Sequence, residues 1–174
     1  ITDTTAVSVE RSTHEMSRSD KRPADHILLG LYIGPIEDVA ESPTDYDAIL
    51  SVCQDNRRAN VPETVPYHHV ELADDEQSEA AWGGSCSYQT FANAADWLRN
   101  THSMLFEGSG SDTLVHCHNG VNRSVAVTAA YLGCRYGVDV GEAINLIRRK
   151  RPVADPNDLM RSHARRYIRE HVDE

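Results

Sequence analysis

The stretch TLVHCHNGVNRSVAVTAA, residues 113–130, decides how the rest of the chain reads. It opens as a short apolar run of strand length, TLVHC (113–117). It closes as an alanine-rich, helix-competent segment running through RSVAVTAAYLGCRYG to Gly137, a suitable helix stop. Between the two, one cysteine sits between two histidines, Asn-Gly follows, and a single arginine arrives six positions after the cysteine. A strand, a tight loop through Gly120 and a helix starting near Arg123 make an anion site. Successive backbone N–H groups curve around a guest, and the helix N-terminus adds partial positive charge. The same field favours the thiolate of Cys117, a nucleophile near neutral pH. Arg123, at the helix mouth, presents a two-pronged donor to an oxyanion. Together they suit attack on phosphorus, the charge on the equatorial oxygens being met by amides and guanidinium instead of a metal. The blander reading is a hairpin turn beside a small buried cysteine. Placement of H-C-x-x-G-x-x-R at a strand-to-helix junction weighs against it.

Working outward, HILLGLYIG (26–34) is an apolar run with glycines that permit a bend or turn, and IEDVAES (36–42) predicts a short helix stopped by Pro43. AILSVC (48–53) and YHHVEL (67–72) read as strands, the second leading into the acidic, glycine-containing stretch ADDEQSEAAWGGSCS. From Tyr88 the period lengthens, with Phe91, Ala94, Ala95, Leu98 and Leu105 on one helical face, and GSGSD (108–112) ends that helix. VGEAINLIRRKR carries Val140, Ala143, Ile144 and Ile147 as an apolar stripe, and PNDLMRSHARRYIREHV offers Pro156 at a helix start. Strands alternating with helices predict an α/β single domain with a mainly parallel central sheet of about four to five strands, flanked by helices on both faces. Residues 1–22, rich in Ser, Thr and charge, read as a poorly ordered leader before a domain over 23–174.

With 174 residues the chain can bury a core without disulfide staples, and its net charge of −10 argues against nucleic acid or an anionic membrane as partner. No apolar run is long enough to cross a bilayer and the N-terminus lacks a signal-peptide core, so a cytoplasmic monomer is expected. Lys21 and Lys150 are the only lysines. Such an acidic surface fits either a high-salt cytoplasm, where screening suppresses self-repulsion, or an ordinary acidic protein. The four cysteines, Cys53, Cys86, Cys117 and Cys134, show no metal-ligand spacing, and His68 and His69, adjacent on a strand, point to opposite faces. No metal and no cofactor are expected.

The segment HCHNGVNRS resembles the H-C-x5-R-[ST] signature of the cysteine-dependent protein tyrosine phosphatase superfamily, and the short length resembles its dual-specificity branch. LGLYIGPIEDV, AILSVC and RRKRPVADPND are similar to further segments of that branch, so the resemblance spans roughly residues 26–172. It implies that Cys117 attacks the phosphoryl group and Arg123 binds it. The backbone of His118, Asn119, Gly120, Val121, Asn122 and Arg123 lines the loop. Ser124 bonds the departing thiolate, and His116 orients the cysteine. The leaving oxygen needs a proton, and ADDEQ after YHHVEL is a strand-to-loop transition suited to supply one. By analogy with the family the acid is Asp74, with Asp75 as the alternative. Asn157 resembles a family position near the site, yet after a proline it equally suits a helix cap.

Cys53 ends a strand as Cys117 does, so a reversible disulfide between them competes with simple core packing of Cys53. Cys134 reads as packing, and Cys86 sits in a Gly-Ser loop without evident chemistry. The run RRKR (148–151) suits a second phosphate or an acidic peptide, or else the solvated end of a helix. The resulting expectation is a phosphatase of phosphorylated protein, phosphotyrosine foremost, with phosphoserine and phosphothreonine beside it. A phosphoinositide or RNA 5′-phosphatase is disfavoured because positions 118–122 lack lysine and arginine. An idle phosphate-binding module is the remaining alternative.

Overall fold

A computed structural model describes residues 24–109 and 111–172, of which 104–109 are described as backbone only. The expected leader over 1–22 and the Leu105 side chain lie outside the described residues. The run read as one bent strand is a hairpin: β1 (Asp25–Leu28) and β2 (Leu31–Gly34) pair antiparallel around Leu29 and Gly30. Both turn residues have positive φ, 51° and 70°, the backbone that matches the twist of a two-residue hairpin. The remaining strands, β3 (Ala48–Ser51), β4 (Tyr67–His69) and β5 (Thr113–His116), join a five-stranded sheet of order β1-β2-β5-β3-β4. All pairings beyond the hairpin are parallel. The chain is thus a single α/β domain with a mainly parallel sheet.

The three central strands are buried at every position, which explains why they read as unbroken apolar runs rather than alternating ones. Leu31, Ile33, Leu50 and Val115 face the main core, where they meet α3 (Tyr88–Ser109), α4 (Arg123–Tyr136), α5 (Val140–Arg148) and α6 (Asp158–His171). Tyr32, Ile49 and Leu114 face the other side, which is closed by Val39 of the short α1 (Ile36–Glu41), Tyr46 and Val61. That second cover is lighter than the expected layer of helices. Alanines at 126, 129 and 130 are fully buried in α4, and small side chains there let neighbouring helices approach closely. Gly137, in the left-handed region at φ 64°, ends α4 as expected.

Two expectations change. ADDEQSEAAWGGSCS contains a helix, α2 (Glu76–Trp82), capped by Asp75. None of its residues is buried, so it carries no apolar stripe to betray it. Pro156 precedes the start of α6 instead of opening it; Asn157 is the cap, its side chain accepting from the Met160 amide. Among the described residues, no helix is long and apolar enough to cross a membrane.

Candidate active site

Strands β3 and β5 run side by side with Ser51 opposite His116, so Cys53 and Cys117 emerge at the same carboxyl edge of the sheet. Beyond His116 the chain makes the anticipated loop and enters α4 at Arg123. The carbonyls of four consecutive loop residues are tied outward. His118 O accepts from the Ile36 amide at 3.1 Å and Val121 O from the Asp155 amide at 2.8 Å. Gly120 O and Asn119 O accept from Arg151 Nε and Nη2 at 2.6 and 3.2 Å. In a trans peptide the carbonyl and the following N–H point opposite ways. Outward carbonyls at 118–121 therefore turn the amides of Asn119, Gly120, Val121 and Asn122 inward, into one concavity. Gly120 is required twice over: its φ is 67°, and a Cβ there would lie 2.7 Å from both Arg151 Nη2 and the Gly34 carbonyl carbon.

Cys117, at the start of this loop, is buried, 2% exposed. Its Sγ is 3.2 Å from the Ser124 hydroxyl. Burial pushes the thiol up, but the Arg123 guanidinium, the Ser124 hydroxyl and the Ser124 and Gly120 amides outweigh it and hold the thiol below its ordinary value. His116 is fully buried, its Nδ1 3.3 Å from the Cys117 carbonyl oxygen. Desolvation pushes its imidazole down to about 4, so it is neutral near pH 7 and adds no positive charge beside the cysteine. Arg123 is itself buried, donating from Nη1 to Leu72 O at 3.0 Å and to Gln54 Oε1, while its Nε is buried without a hydrogen-bond partner.

The two aspartates separate by what holds them. Asp75 is engaged as the α2 cap, accepting from the Ser78 amide at 2.6 Å. Asp74 is drawn to the loop: its carboxylate accepts from Asn122 Nδ2 at 3.2 Å and its carbonyl from Asn157 Nδ2 at 2.9 Å. The Asn157 amide in turn donates to Asn122 Oδ1 at 2.9 Å. Asn157 therefore ties the Asp74 segment, the loop from His118 to Asn122 and the start of α6 together.

The reading of RRKR as a second anion site does not hold at its last position. Arg151 is 6% exposed and spent on Asn119 O, Gly120 O and the Asp25 carboxylate, 2.8 Å away. Arg148 is likewise engaged, with Ala154 O and Asp155. Cys53 is buried, its thiol donating to Asp55 O at 3.2 Å; burial pushes it up, and the nearby Cys117 adds to that rise. Cys134 is half-buried against the main core, and Cys86 is half-buried with its carbonyl accepting from His163. His68 and His69 do face opposite ways, one stacked on Trp97 and the other 2.9 Å from the Ser51 hydroxyl. Among the described residues no three His, Cys, Asp or Glu gather as metal ligands would.

A cavity of about 600 Å³ opens over the loop, lined by Cys53, Gln54, Ser78, Trp82, His118 and Arg123 among others. Gln54, Ser78, Trp82 and Arg151 were not singled out in the sequence as parts of the site. Gln54 follows a cysteine already placed at the sheet edge, which was the one available signal.

The family model described as dual specificity phosphatase, catalytic domain, matches residues 31–167. The chain is 29% identical over 144 residues to dual specificity protein phosphatase 1 of Arabidopsis thaliana, covering 80% of this chain and 66% of that one. It is 31% identical over 98 residues to human protein phosphatase Slingshot homolog 3, covering 55% of this chain and 13% of that one. The chain thus spans less than two thirds of the length of these relatives. Among solved structures, human DUSP28 matches with a TM-score of 0.61 at 22% identity, covering 85% of this chain and 94% of the other. The human tyrosine phosphatase-like serine/threonine/tyrosine-interacting protein matches with a TM-score of 0.67 at 19% identity, covering 87% and 99%. At these identities the structures speak for the fold.

Proposed function

The chain belongs to the dual specificity phosphatase catalytic-domain family, and from that membership we propose that it hydrolyses phosphomonoesters on protein, phosphotyrosine foremost and phosphoserine or phosphothreonine beside it. The observation that carries the reading is the set of four loop carbonyls bonded outward, which leaves their amides converging above a thiol held below its ordinary value. Such a ring accepts three equatorial oxygens of a phosphoryl group without reorganising. The unmatched Arg123 Nε supplies a further donor to that charge.

In the proposed cycle the Cys117 thiolate attacks phosphorus, the phosphorus–oxygen bond to the leaving group breaks, and Asp74 gives its proton to the departing oxygen. The resulting carboxylate then takes a proton from water as that water attacks phosphorus. The sulfur–phosphorus bond breaks, inorganic phosphate forms, and the Ser124 hydroxyl donates to the regenerated thiolate. Asn122 and Asn157 hold Asp74 at the rim, while neutral His116 packs beneath the cysteine. A phosphoinositide or RNA 5′-phosphate as substrate is less well supported, since Arg151 braces the loop from behind and adds no charge to its mouth.

Turnover of an aryl phosphate in the presence of chelator, comparing the parent with Cys117→Ser, tests the proposal. Activity that survives chelator and vanishes in the variant is the expected result. A parent that binds phosphate but turns nothing over would leave the idle binding module instead.

A further inference from the structure

We propose that Trp82 is the specificity wall of this site, an aromatic face that selects phosphate esters carried on an aromatic ring over those on an alkyl chain. The inference rests on the phosphatase reading and names the substrate class within it. Trp82 is 77% exposed, the most exposed large apolar side chain among the described residues, and it belongs to neither hydrophobic cluster. It contributes little to the fold, because a ring left in water gains no burial. Yet it lines the same cavity as Arg123 and His118.

The helix that carries Trp82 is hydrogen-bonded to Arg123 through Gln54. Arg123 donates to Gln54 Oε1, and Gln54 Nε2 donates to the Ser78 hydroxyl at 2.8 Å. Ser78 and Trp82 are four apart on α2 and share one helical face. The face that is hydrogen-bonded back to the anion-binding arginine is thus the face that presents the tryptophan. Both ends of α2 are held as well. Asp75 caps its start, while beyond its end the Ser85 amide donates to Glu71 O at 2.9 Å and the Cys86 amide to the Glu79 carboxylate at 2.8 Å. A helix held in this way brings Trp82 to the cavity without first being ordered.

The burial of Cys117 favours the same guest. Cys117 is 2% exposed, whereas Trp82, which lines the cavity over the loop, is 77% exposed. A phenyl ring holds its phosphate farther from the peptide backbone than the single carbon of phosphoserine does. It therefore lets the phosphate reach the amides while the ring lies beside Trp82. An aromatic face against an aromatic face adds attraction beyond area alone.

The test compares Trp82→Ala and Trp82→Phe with the parent on two peptides identical except for phosphotyrosine or phosphothreonine. We expect Trp82→Ala to lower kcat/KM on the phosphotyrosine peptide roughly 2- to 10-fold, mainly through KM, to lower it less on the phosphothreonine peptide, and to be rescued by Trp82→Phe. An equal loss on both peptides, or no loss on either, overturns the proposal. A second readout needs no turnover: in Cys117→Ser carrying Trp97→Phe, Trp82 is the only remaining tryptophan. Free phosphotyrosine should change its fluorescence and phosphoserine should not. If the parent hydrolyses neither peptide, the phosphatase reading falls and this titration alone decides. No change with phosphotyrosine, or the same change with phosphoserine, then removes the wall.

Discussion

The Asn122 side-chain amide donates to the Asp74 carboxylate across 3.2 Å, joining the loop between β5 and α4 to the loop proposed to deliver the proton. Its other end accepts from the Asn157 amide at 2.9 Å, so one side chain bridges Asp74 and the cap of α6. Asp75, one residue on, faces a different duty as the cap of α2.

That division of labour predicts opposite outcomes for the two aspartates. Asp74→Asn should lower kcat on an alkyl phosphate by about 10²- to 10⁴-fold, the usual span for loss of a general acid, and by less on a nitrophenyl phosphate, whose leaving group needs little protonation. Asp75→Ala should leave most of the turnover and lower stability by about 1 kcal/mol through the lost cap. Steady-state kinetics on both esters, with urea unfolding, separate the two. Full alkyl phosphate turnover by Asp74→Asn removes the assignment.

Arg151 gives the second prediction. Its planar fork serves two loop carbonyls and the Asp25 carboxylate at once, a geometry the compact lysine head does not reproduce. Arg151→Met leaves those carbonyls without their partner and frees the peptide planes to turn, so kcat/KM should fall on the order of 10²-fold although the residue touches no substrate. Stability should fall by roughly 1–3 kcal/mol, the cost of unsatisfied buried acceptors. A variant that loses stability but keeps kcat/KM would reduce Arg151 to a packing residue.

Sequence legibility follows how locally each feature is determined. TLVHC, the start of α4 at Arg123 and the stop at Gly137 could be read because strand period, loop chemistry and helix stop are written in adjacent residues. Asn157 could be read as a cap for the same reason. Arg151 could not, since four basic residues in a row look alike until the chain folds one of them under the loop. Nor could α2: with nothing buried it has no apolar period, and its start signal, Asp75, reads equally as a candidate acid. The link from Arg123 through Gln54 to Ser78 joins three separate segments and has no local trace at all.

Buried His116 sets a pH limit on stability. The unfolded imidazole titrates near 6.5 and the folded one near 4, so the unfolded chain binds the extra proton first and folding is weakened as pH falls through that window. The contribution is intact above 6.5, reduced by about 2 kcal/mol at pH 5, and lost in full, about 3 kcal/mol, below 4. His68, His69 and His102 are also pushed down by burial and act in the same direction. Urea unfolding at pH 7.5 and 5 measures the sum, and His116→Gln should flatten the slope. An unchanged slope in that variant would mean that His116 is protonated in the folded chain.

The neighbouring strand ends predict a redox response. Peroxide should oxidise the Cys117 thiolate to a sulfenic acid, and the Cys53 sulfur should then attack it, forming a disulfide and releasing water. The two thiols differ in readiness: Cys117 is held below its ordinary value, whereas burial pushes Cys53 up. Cys117 is therefore the thiol oxidised first, and the second step accelerates as rising pH ionises Cys53. Linked Cys53–Cys117 peptide should accordingly increase from pH 7 to 8.5 at fixed peroxide, with activity restored by dithiothreitol. Cys53→Ser should instead accumulate sulfinic acid at Cys117 and lose activity that no thiol restores. If the parent gave the sulfinic acid with no linked peptide at either pH, Cys53 would be core packing alone, and the low exposure of Cys117 would be its main protection.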